Sequence, residues 1–485
     1  MPCNKLCQLL SCVLQFSTLS SVCIYQPCTC DGTSVLCQDR NLTRIPPILG
    51  TNIGDFTFVS FATNNITHIT AGSLPPGIKE LYLLENPLLL IDDTAFDASA
   101  TSLQVMYLSE ARFTRMPDAF LHLKALTLLT IYDTHILDWN GPALQAISPN
   151  LQTLVLENVG LKTWPGWMTY FTNLTELGFS GNSLSSIPDG AFDKLAGSLS
   201  VLSLFNNRLT AVPKAVSSLK ALRSLKLQGN SIRNVTWLPQ SAKLLFLYLF
   251  NNSLGDAHEL SNSLRNYGDT LAEIDLHGNQ LTALPNISFL AKIEGLDFSS
   301  NQISQSNTGS VPPTINTIDL SHNRLTYIPL FLKTLTNIFE MLLSYNAITR
   351  IADTDFSKTI TGVDLRYNLI TELKDNSFPA DSIIATLQLN GNPIVAISHL
   401  ALSTLPQLME LNLQATKLTR LPLALASLTS VRFVDFTHNP GLVCTCLEKG
   451  LGPWVAAFPR GTILGDCGQT SIYDFFFLLS PLCPV

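Results

Sequence analysis

An eleven-residue pattern recurs along most of the chain and constrains its fold more than any other feature. In LSVLSLFNNRL (199–209), apolar residues fill the first, fourth, sixth and eleventh places, and asparagine fills the ninth. The pattern recurs in LRSLKLQGNSI, LLFLYLFNNSL, LAEIDLHGNQL, IEGLDFSSNQI, INTIDLSHNRL and ITGVDLRYNLI. Aligned on the ninth place, seventeen units 22 to 27 residues apart are centred on residues 64, 86, 111, 134, 159, 182, 207, 230, 252, 279, 301, 323, 346, 368, 392, 416 and 439. Such a period predicts an array of stacked units.

Each unit is predicted to contribute one short strand. The alternation at the fourth to sixth places (Leu202, Ser203, Leu204) is typical of a strand with one buried face. A single unit cannot bury four apolar side chains, so the units must stack with their strands paired in parallel. We expect the ninth-place asparagine to donate to and accept from loop backbone that strand pairing leaves unsatisfied.

Four units lack the ninth-place asparagine, and they carry Ala111, Thr134, Val159 and Thr416 instead. Threonine still supplies a hydrogen-bonding group, whereas alanine and valine supply none. We therefore expect local irregularity around repeats three to five, either as tolerated loop variation or as a functional hinge.

A second signature follows many of the asparagines, as in LTRIP, LSSIPDGAF, LTAVP, LTALP and LTYIP, and its proline ends strand pairing. Together the two signatures resemble the leucine-rich repeat family over residues 56–441. The repeat lengths and the segment PDGAFDKL resemble its animal-type extracellular class. The resemblance implies an α/β, mostly β fold: a curved solenoid with one long parallel concave sheet and short helices or irregular turns on the convex side.

The cysteines lie only near the two ends of the chain. Eight of the eleven form two groups of four beyond the first 21 residues: Cys23, Cys28, Cys30 and Cys37, then Cys444, Cys446, Cys467 and Cys483. Two compact, even-numbered groups favour disulfides in a secreted protein. Zinc binding is the alternative, but neither group contains a histidine. Spacing alone leaves three connectivities open in each group.

The two groups resemble the terminal caps of extracellular leucine-rich repeat proteins, on the segments CIYQPCTCDGTSVLC and NPGLVCTCLEKGLGPW. Such caps would cover the apolar face and sheet edge that end repeats leave open. The resemblance implies the pairs Cys23–Cys30, Cys28–Cys37, Cys444–Cys467 and Cys446–Cys483. The predicted organisation is a signal peptide (1–21), an amino-terminal disulfide cap (22–55), about seventeen repeats (56–438) and a carboxy-terminal disulfide cap (439–485).

The first 21 residues indicate secretion. Lys5 precedes an apolar stretch from Leu6 to Leu19 and then small residues, which is typical of a cleavable signal peptide. An N-terminal membrane anchor is the alternative, but polar residues interrupt the stretch. We expect an extracellular chain whose mature form does not insert into a membrane, or a cell-surface protein if the full gene product is longer.

Charge and motif content argue against two classes of function. The formal net charge of -7 disfavours nucleic acid as a partner, since phosphates require a basic face. The sequence lacks a Gly-x-Ser-x-Gly elbow, a phosphate loop and a His-Glu-x-x-His motif. We therefore expect no enzymatic activity, no cofactor and no metal.

A protein ligand on the concave face is the main functional hypothesis, and two groups of residues are its candidate contacts. The first group is aromatic and basic, the types that dominate binding energy at interfaces: Phe205, Arg223, Lys226, Phe246, Tyr248 and Phe250. The alternative is that these aromatic rings only cover neighbouring backbone. The second group is an acidic column that would attract a basic partner: Asp275, Asp297, Asp319 and Asp364. The alternative is that Leu-Asp-Leu is simply a common sequence at these places of the repeat.

Six Asn-x-Ser/Thr sequons would accept glycans in a secreted chain: Asn41, Asn65, Asn173, Asn234, Asn251 and Asn286. None of them lies at the second to fifth places of a repeat, so the strand surface is expected to stay free of sugar. These features predict a secreted recognition protein. A receptor ectodomain without its membrane span and a matrix-organising protein are the alternatives.

Overall fold

The computed structural model describes residues 23–50, 55–305 and 307–483, so the predicted signal peptide lies outside the described residues. The chain divides into two compact units. The first unit comprises Met1–Leu161 and Pro165–Asn182, and the second comprises Lys162–Trp164 and Ser183–Val485. Both units contain the same kind of repeat, and each is described separately.

The first unit is built around a parallel sheet. Its strands are β1 (Thr29–Asp31), β2 (Ser34–Leu36), β3 (Phe58–Ser60), β4 (His68–Ile69), β5 (Glu80–Leu83), β6 (Leu90–Ile91), β7 (Val105–Ser109), β8 (Leu128–Tyr132), β9 (Thr153–Glu157) and β10 (Glu176–Gly178). β1 and β2 form an antiparallel hairpin, and β2 then pairs in parallel with β3. The sheet continues in parallel through β5, β7, β8 and β9 to β10, while β4 and β6 form a separate pair.

Short helices return the chain between the strands of the first unit. They are the α-helix α1 (Gly141–Ile147) and the 3-10 helices Asp97–Ser99, Asp118–His122 and Gly166–Tyr170. The start of α1 is fixed by Asn140, whose side chain accepts from the amide of Ala143 at 3.4 Å, and by Pro142 in the first turn.

The second unit repeats the arrangement. Its strands are β11 (Val201–Ser203), β12 (Ser224–Lys226), β13 (Phe246–Tyr248), β14 (Glu273–Asp275), β15 (Gly295–Asp297), β16 (Thr317–Asp319), β17 (Glu340–Leu342), β18 (Gly362–Asp364), β19 (Glu372–Leu373), β20 (Thr386–Gln388), β21 (Ala396–Ile397), β22 (Glu410–Asn412), β23 (Phe433–Asp435), β24 (Ile463–Leu464), β25 (Asp466–Cys467) and β26 (Thr470–Ser471). One parallel sheet runs from β11 through β18 to β20, β22, β23 and β24. β19 pairs with β21 in parallel, and β25 pairs with β26 antiparallel.

Helices of the second unit are also short. The α-helices are α2 (Ala257–Leu264), α3 (Gly452–Ala456) and α4 (Ile472–Asp474), and Phe475–Leu479 forms a π-helix. The 3-10 helices are Asp193–Leu195, Lys214–Ser218, Arg265–Tyr267, Leu330–Thr334, Asp353–Asp355, Leu423–Ser427, Cys446–Leu451 and Ser480–Leu482. Among the described residues, no helix is both long enough and apolar enough to cross a membrane.

The apolar places of the repeat form the core, as the pattern predicts. In the unit 199–209, Leu199, Leu202, Leu204 and Leu209 are all at most 1% exposed. The corresponding residues of other units are buried in the same way, so leucine and isoleucine ladders run along the inside of each sheet. The leucine-rich repeat fold is therefore confirmed.

Most ninth-place asparagine amides join their repeat to the one before it. Asn323 donates to the carbonyls of Phe298 (2.9 Å), Leu320 (3.1 Å) and Ser321 (3.1 Å), and its Oδ1 accepts from the amide of Ile303 (2.9 Å). The same set of bonds recurs at Asn86, Asn230, Asn252, Asn279, Asn301, Asn346 and Asn368. The predicted double role of the ninth-place amide is confirmed.

The eighth place has an unusual backbone conformation that the sequence pattern did not predict. All seventeen residues there have positive φ, from 46° at Asp133 to 73° at Gly391. This left-handed residue turns the chain sharply after the strand and directs the following asparagine side chain inward. At Gly391 a Cβ atom would lie 2.4 Å from Cδ1 of Tyr367, so only glycine lets the tyrosine ring pack there.

The expectation of local irregularity around repeats three to five is wrong for the strands. β7, β8 and β9 are five residues long and pair in full register, whereas the sheet strands of the second unit have two or three residues. The bonds between these strands are backbone bonds, so they do not require the ninth-place amide. Thr134 also takes over the acceptor role of the ninth-place asparagine, since its hydroxyl accepts from the amide of Ala111 at 3.1 Å.

Both predicted caps are present, with all four expected disulfides. The Cα–Cα distances are 5.0 Å for Cys23–Cys30, 4.5 Å for Cys28–Cys37, 5.2 Å for Cys444–Cys467 and 5.3 Å for Cys446–Cys483. The hairpin β1–β2 covers the first edge of one sheet, and β24 covers the last edge of the other. Trp454 of the carboxy-terminal cap donates from Nε1 to the carbonyl of Leu428 at 2.7 Å and so ties the cap to the last full repeat.

Candidate functional site

The predicted contact residues lie on neighbouring strands of the second unit. Side chains at the third, fifth and seventh places project from the strand face of the sheet, opposite the core. Strand register aligns the fifth places in the order Lys226, Tyr248, Asp275, Asp297 and Asp319. We call the third-, fifth- and seventh-place side chains of the repeats containing β12 to β16 the β13 face.

The centre of the β13 face is aromatic. Phe246, Tyr248 and Phe250 occupy three successive outward places of one repeat, and Phe246 is 37% exposed. Phe250 stacks on the His277 ring of the next repeat, with centroids 4.6 Å apart and an interplanar angle of 13°. Phe250 thus packs on a neighbouring side chain, whereas Phe246 remains open.

Tyr248 is held in place by its surroundings. Partial burial, and then the negative charge of the adjacent Glu273, raise the pKa of Tyr248 to about 12. Its hydroxyl therefore stays protonated at physiological pH. A fixed tyrosine loses little side-chain entropy when a ligand docks on it.

The other members of the predicted aromatic and basic group lie at different distances from this centre. Lys226 pairs in register with Tyr248, and the backbone carbonyl of Arg223 accepts from the amide of Phe246 at 3.1 Å. Phe205 lies two repeats away from Phe250 at the same place, with Gln228 between them. At a strand spacing of about 4.8 Å, Phe205 is therefore about 10 Å from the aromatic centre and at the margin of the face.

The aspartates of the acidic column have a structural role. Each accepts a bond from the backbone amide two residues later: Asp275 from His277 (3.1 Å), Asp297 from Ser299 (2.8 Å), Asp319 from Ser321 (2.8 Å) and Asp364 from Arg366 (3.0 Å). Asn412 and Asp435 do the same at their fifth places. This bond supports the turn after the strand, which explains why Leu-Asp-Leu recurs in these repeats.

The column is not continuous, and its members differ in charge environment. Leu342 separates Asp319 from Asp364 in the register. Asp364 is 6% exposed and forms two bonds with the guanidinium of Arg366, at 2.9 and 2.7 Å, so its charge is neutralised. The acidic part of the β13 face is therefore Asp275, Asp297 and Asp319, beside Glu273.

His277 lies between two of these aspartates. Its Nδ1 is 2.7 Å from Oδ1 of Asp275 and 3.8 Å from Oδ2 of Asp297. These three groups are close enough to serve as ligands of a metal ion, which the sequence interpretation did not identify. A hydrogen on Nδ1 of His277 can be donated to Asp275 at 2.7 Å, so the arrangement does not require a metal.

The sequons are accessible to different degrees. Five of the six asparagines are exposed, and Asn234 is half-buried. Asn251 directly follows Phe250 at an eighth place, so a glycan there would border the β13 face without covering its strands.

Two further aromatic groups were missed by the sequence interpretation. In the second unit, His322, Tyr345 and Tyr367 stack at successive eighth places, with centroids 4.3 and 4.5 Å apart. In the first unit, Tyr82 and Tyr107 stack at successive fifth places, 4.7 Å apart. Recurrence of aromatic residues at one place in consecutive repeats was the available signal for both groups.

Replacement of Asp319 by asparagine should stabilise the second unit. Burial, together with the neighbouring charge of Asp297, raises the pKa of Asp319, although its bonds to Ser321 oppose this. A raised native pKa means that the charged form weakens folding at neutral pH and that this penalty disappears as pH falls through the native pKa. Asparagine keeps the bond to Ser321, as Asn412 keeps its bond to Gln414 at 3.0 Å.

We therefore expect Asp319→Asn to raise the free energy of unfolding at pH 7 by up to about 1 kcal/mol, with a smaller gain near pH 4. Urea denaturation at both pH values measures the difference. Exposed Asp269→Asn should leave stability unchanged at either pH. A destabilised Asp319→Asn variant at pH 7 would contradict this account of the column.

The buried ladders, the asparagine network and the two disulfide caps define a leucine-rich repeat protein capped by cysteines at both ends. The family description "Leucine rich repeat N-terminal domain" matches residues 23–49, which are the amino-terminal cap. Bovine lumican is 30% identical over 220 residues, covering 44% of this chain and 61% of lumican. Human "Leucine-rich repeats and immunoglobulin-like domains protein 1" is 28% identical over 212 residues, covering 44% of this chain and 17% of that protein.

Solved structures agree on the fold. In the structure of the Drosophila Toll–Spatzle complex, one chain aligns with a TM-score of 0.61 at 19% identity, covering 84% of this chain and 65% of that one. The chain is thus similar to leucine-rich repeat proteins that include lumican. It spans less than two thirds of the length of these first two curated relatives.

Proposed function

We propose that this protein is secreted and acts by docking a protein ligand on the β13 face. The observation that carries the proposal is the arrangement of three outward aromatic side chains, Phe246, Tyr248 and Phe250, between a basic and an acidic neighbour. Aromatic residues with a polar surround are the usual energetic centre of a protein interface. The strand face is held rigid by the repeat core, so docking has a low ordering cost.

Charge gives the ligand a preferred orientation on this face. Lys226 lies beside Tyr248 on one side, and Asp275 followed by Asp297 lies on the other. A ligand with a basic segment adjoining an apolar one would match the acidic and aromatic strands together. The proposal includes no catalytic activity, cofactor or nucleic acid partner.

The relatives support an extracellular recognition role. Lumican and the immunoglobulin-domain protein both carry leucine-rich repeats, and the Toll structure is that of a complex with Spatzle. Disulfides in both caps fit an oxidising compartment. A matrix-organising role, or a role as the ectodomain of a longer receptor, would use the same face and differ only in the partner.

The double variant Phe246→Ala with Tyr248→Ala tests the face. Proteins captured from conditioned extracellular medium by the unmodified chain would be identified by mass spectrometry, and their affinities measured by biolayer interferometry. Loss of two central aromatic anchors should weaken binding about 1000-fold, since each is worth about 2 kcal/mol.

The matched control is Tyr327→Ala with Leu330→Ala, which removes two exposed apolar side chains of the same unit outside the β13 face. The control should retain native affinity. If the two double variants bind alike, the β13 face is not the docking site.

A further inference from the structure

The strand face of the first unit has a composition of its own. The outward third, fifth and seventh places of its six repeats hold four aromatic residues and three glutamates, and neither lysine nor arginine. We call these seven side chains the tyrosine face: Phe58, Tyr82, Tyr107, Tyr132, Glu80, Glu157 and Glu176. All seven are half-buried, so they are partly ordered before any ligand arrives.

The aromatic rings of the tyrosine face form a row. The Phe58 ring is tilted against Tyr82 at a centroid distance of 5.0 Å, and Tyr82 stacks on Tyr107 at 4.7 Å with an interplanar angle of 26°. β5 and β7 are hydrogen-bonded neighbours with Tyr82 opposite Tyr107. Such a row offers a continuous platform of ring faces and edges.

The carboxylates converge on this row from both sides. Glu80 hydrogen-bonds to Tyr82, and both Glu80 and Glu176 act electrostatically on Tyr107. Glu157 and Glu176 act on Tyr132 in the same way. Burial is the first cause that raises the pKa of Tyr82 and of Tyr132 to about 12. For Tyr82 the next causes are Tyr107 and then Glu80, and for Tyr132 the next cause is Glu157. The hydroxyls therefore stay neutral, and the outward glutamates give the face a negative formal charge.

An adjoining groove of about 860 Å³ adds to this negative potential. His135 lines it, and its charged lining is mostly acidic, with four carboxylates and one guanidinium: Asp39, Glu85, Glu110, Asp133 and Arg112. The sequons at Asn41 and Asn65 line the same groove. Glycans there would occupy the groove and leave the strand face open, so the tyrosine face is the better candidate for contact with a macromolecule.

We propose that the tyrosine face binds an arginine-rich segment of a protein partner. A guanidinium stacks on aromatic rings and at the same time forms paired hydrogen bonds with carboxylates, and this face presents both groups side by side. A lysine ammonium matches only the charge, so arginine should be preferred. This site shares no residue with the proposed β13 face.

The experiment uses the intact protein and a fluorescein-labelled nona-arginine peptide, with binding followed by fluorescence anisotropy. The variant Glu80→Gln with Glu176→Gln should weaken binding at least about fivefold, because it removes two partly exposed ion pairs whose free energies add. Tyr107→Leu should weaken it about threefold through loss of the ring face, whereas Tyr107→Phe should bind like the native protein. Nona-lysine should bind more weakly than nona-arginine.

Two matched controls each remove two negative charges elsewhere. Asp31→Asn with Asp93→Asn changes exposed positions of the same unit, and Asp269→Asn with Asp353→Asn changes exposed positions of the second unit. Each should weaken binding less than about twofold, since isolated exposed charges contribute little. A loss in either control pair as large as in Glu80→Gln with Glu176→Gln, equal affinity for both peptides, or no binding by the native protein would overturn the proposal.

Discussion

Replacing Asn323 with leucine is expected to lower the free energy of unfolding of the second unit by about 4 kcal/mol. The side chain makes four bonds with buried backbone groups, and leucine can make none of them. The measurement is urea denaturation followed by circular dichroism, with the same denaturant slope fitted to both proteins.

The cost is unequally distributed among the four bonds. The carbonyls of Phe298 and Leu320 each keep a second asparagine donor, from Asn301 at 3.1 Å and Asn346 at 2.9 Å. The amide of Ile303 donates to Asn323 and would be left buried without that acceptor. An unpaired buried amide costs about 1–3 kcal/mol, so it is expected to be the largest single contribution.

The variant Asn323→Thr separates the contribution of the Ile303 amide from those of the other three bonds. Thr134 shows that a ninth-place hydroxyl can accept from the preceding repeat, at 3.1 Å from the amide of Ala111. Asn323→Thr should therefore recover about 1–2 kcal/mol relative to Asn323→Leu. The exposed Asn337→Ala serves as a control and should change stability by less than about 0.5 kcal/mol. Equal destabilisation by threonine and leucine would show that the amide of Ile303 is not the group that matters.

The repeat core and the caps were predictable because their causes are local and repeated. The apolar places set the burial of Leu199, Leu202 and Leu204, and the ninth-place amide bonds follow from the chemistry of asparagine. The disulfide pairs were predicted from the resemblance to capped proteins, since spacing alone left three connectivities in each group.

The left-handed eighth place was not predictable from residue preference. Glycine occupies this place only at Gly181, Gly229, Gly278 and Gly391, and the other thirteen residues include tyrosine, histidine and glutamate. Their positive φ is imposed by the strand before and the buried asparagine after, so the neighbouring structure overrides the local preference. The stacked rings of His322, Tyr345 and Tyr367 follow from this imposed turn and were missed for that reason.

The sequence predicted where the candidate site lies better than it predicted the bonds that its side chains make. Alternation correctly placed Phe246 and Tyr248 on the outward side of β13. The sequence could not show that the fifth-place aspartates accept from backbone two residues later, or that Arg366 neutralises Asp364, because both depend on side-chain direction. Whether these residues bind a ligand remains a prediction.

Removing the disulfide Cys446–Cys483, by changing both residues to alanine, is expected to destabilise the carboxy-terminal cap by about 4 kcal/mol. The bridge closes 37 residues that contain α3, β24 and α4. In the chain-entropy description, a longer closed loop restricts the unfolded chain more, so Cys23–Cys30, which closes seven residues, should contribute only about 2.5 kcal/mol.

Hydrogen exchange would locate the effect at the end of the sheet. The amides of Val434 and Phe436 donate to Thr462 and Leu464 of the cap at 2.8 and 2.9 Å, so they should lose protection when the cap opens. The amide of Leu413 donates to Asp435 one strand further in and should stay protected. The uncovered edge of β23 should also promote association, seen as a concentration-dependent shift in size-exclusion chromatography. Equal loss of protection at Leu413, or a larger effect from Cys23→Ala with Cys30→Ala, would show that the longer bridge does not act by holding a cap over the sheet edge.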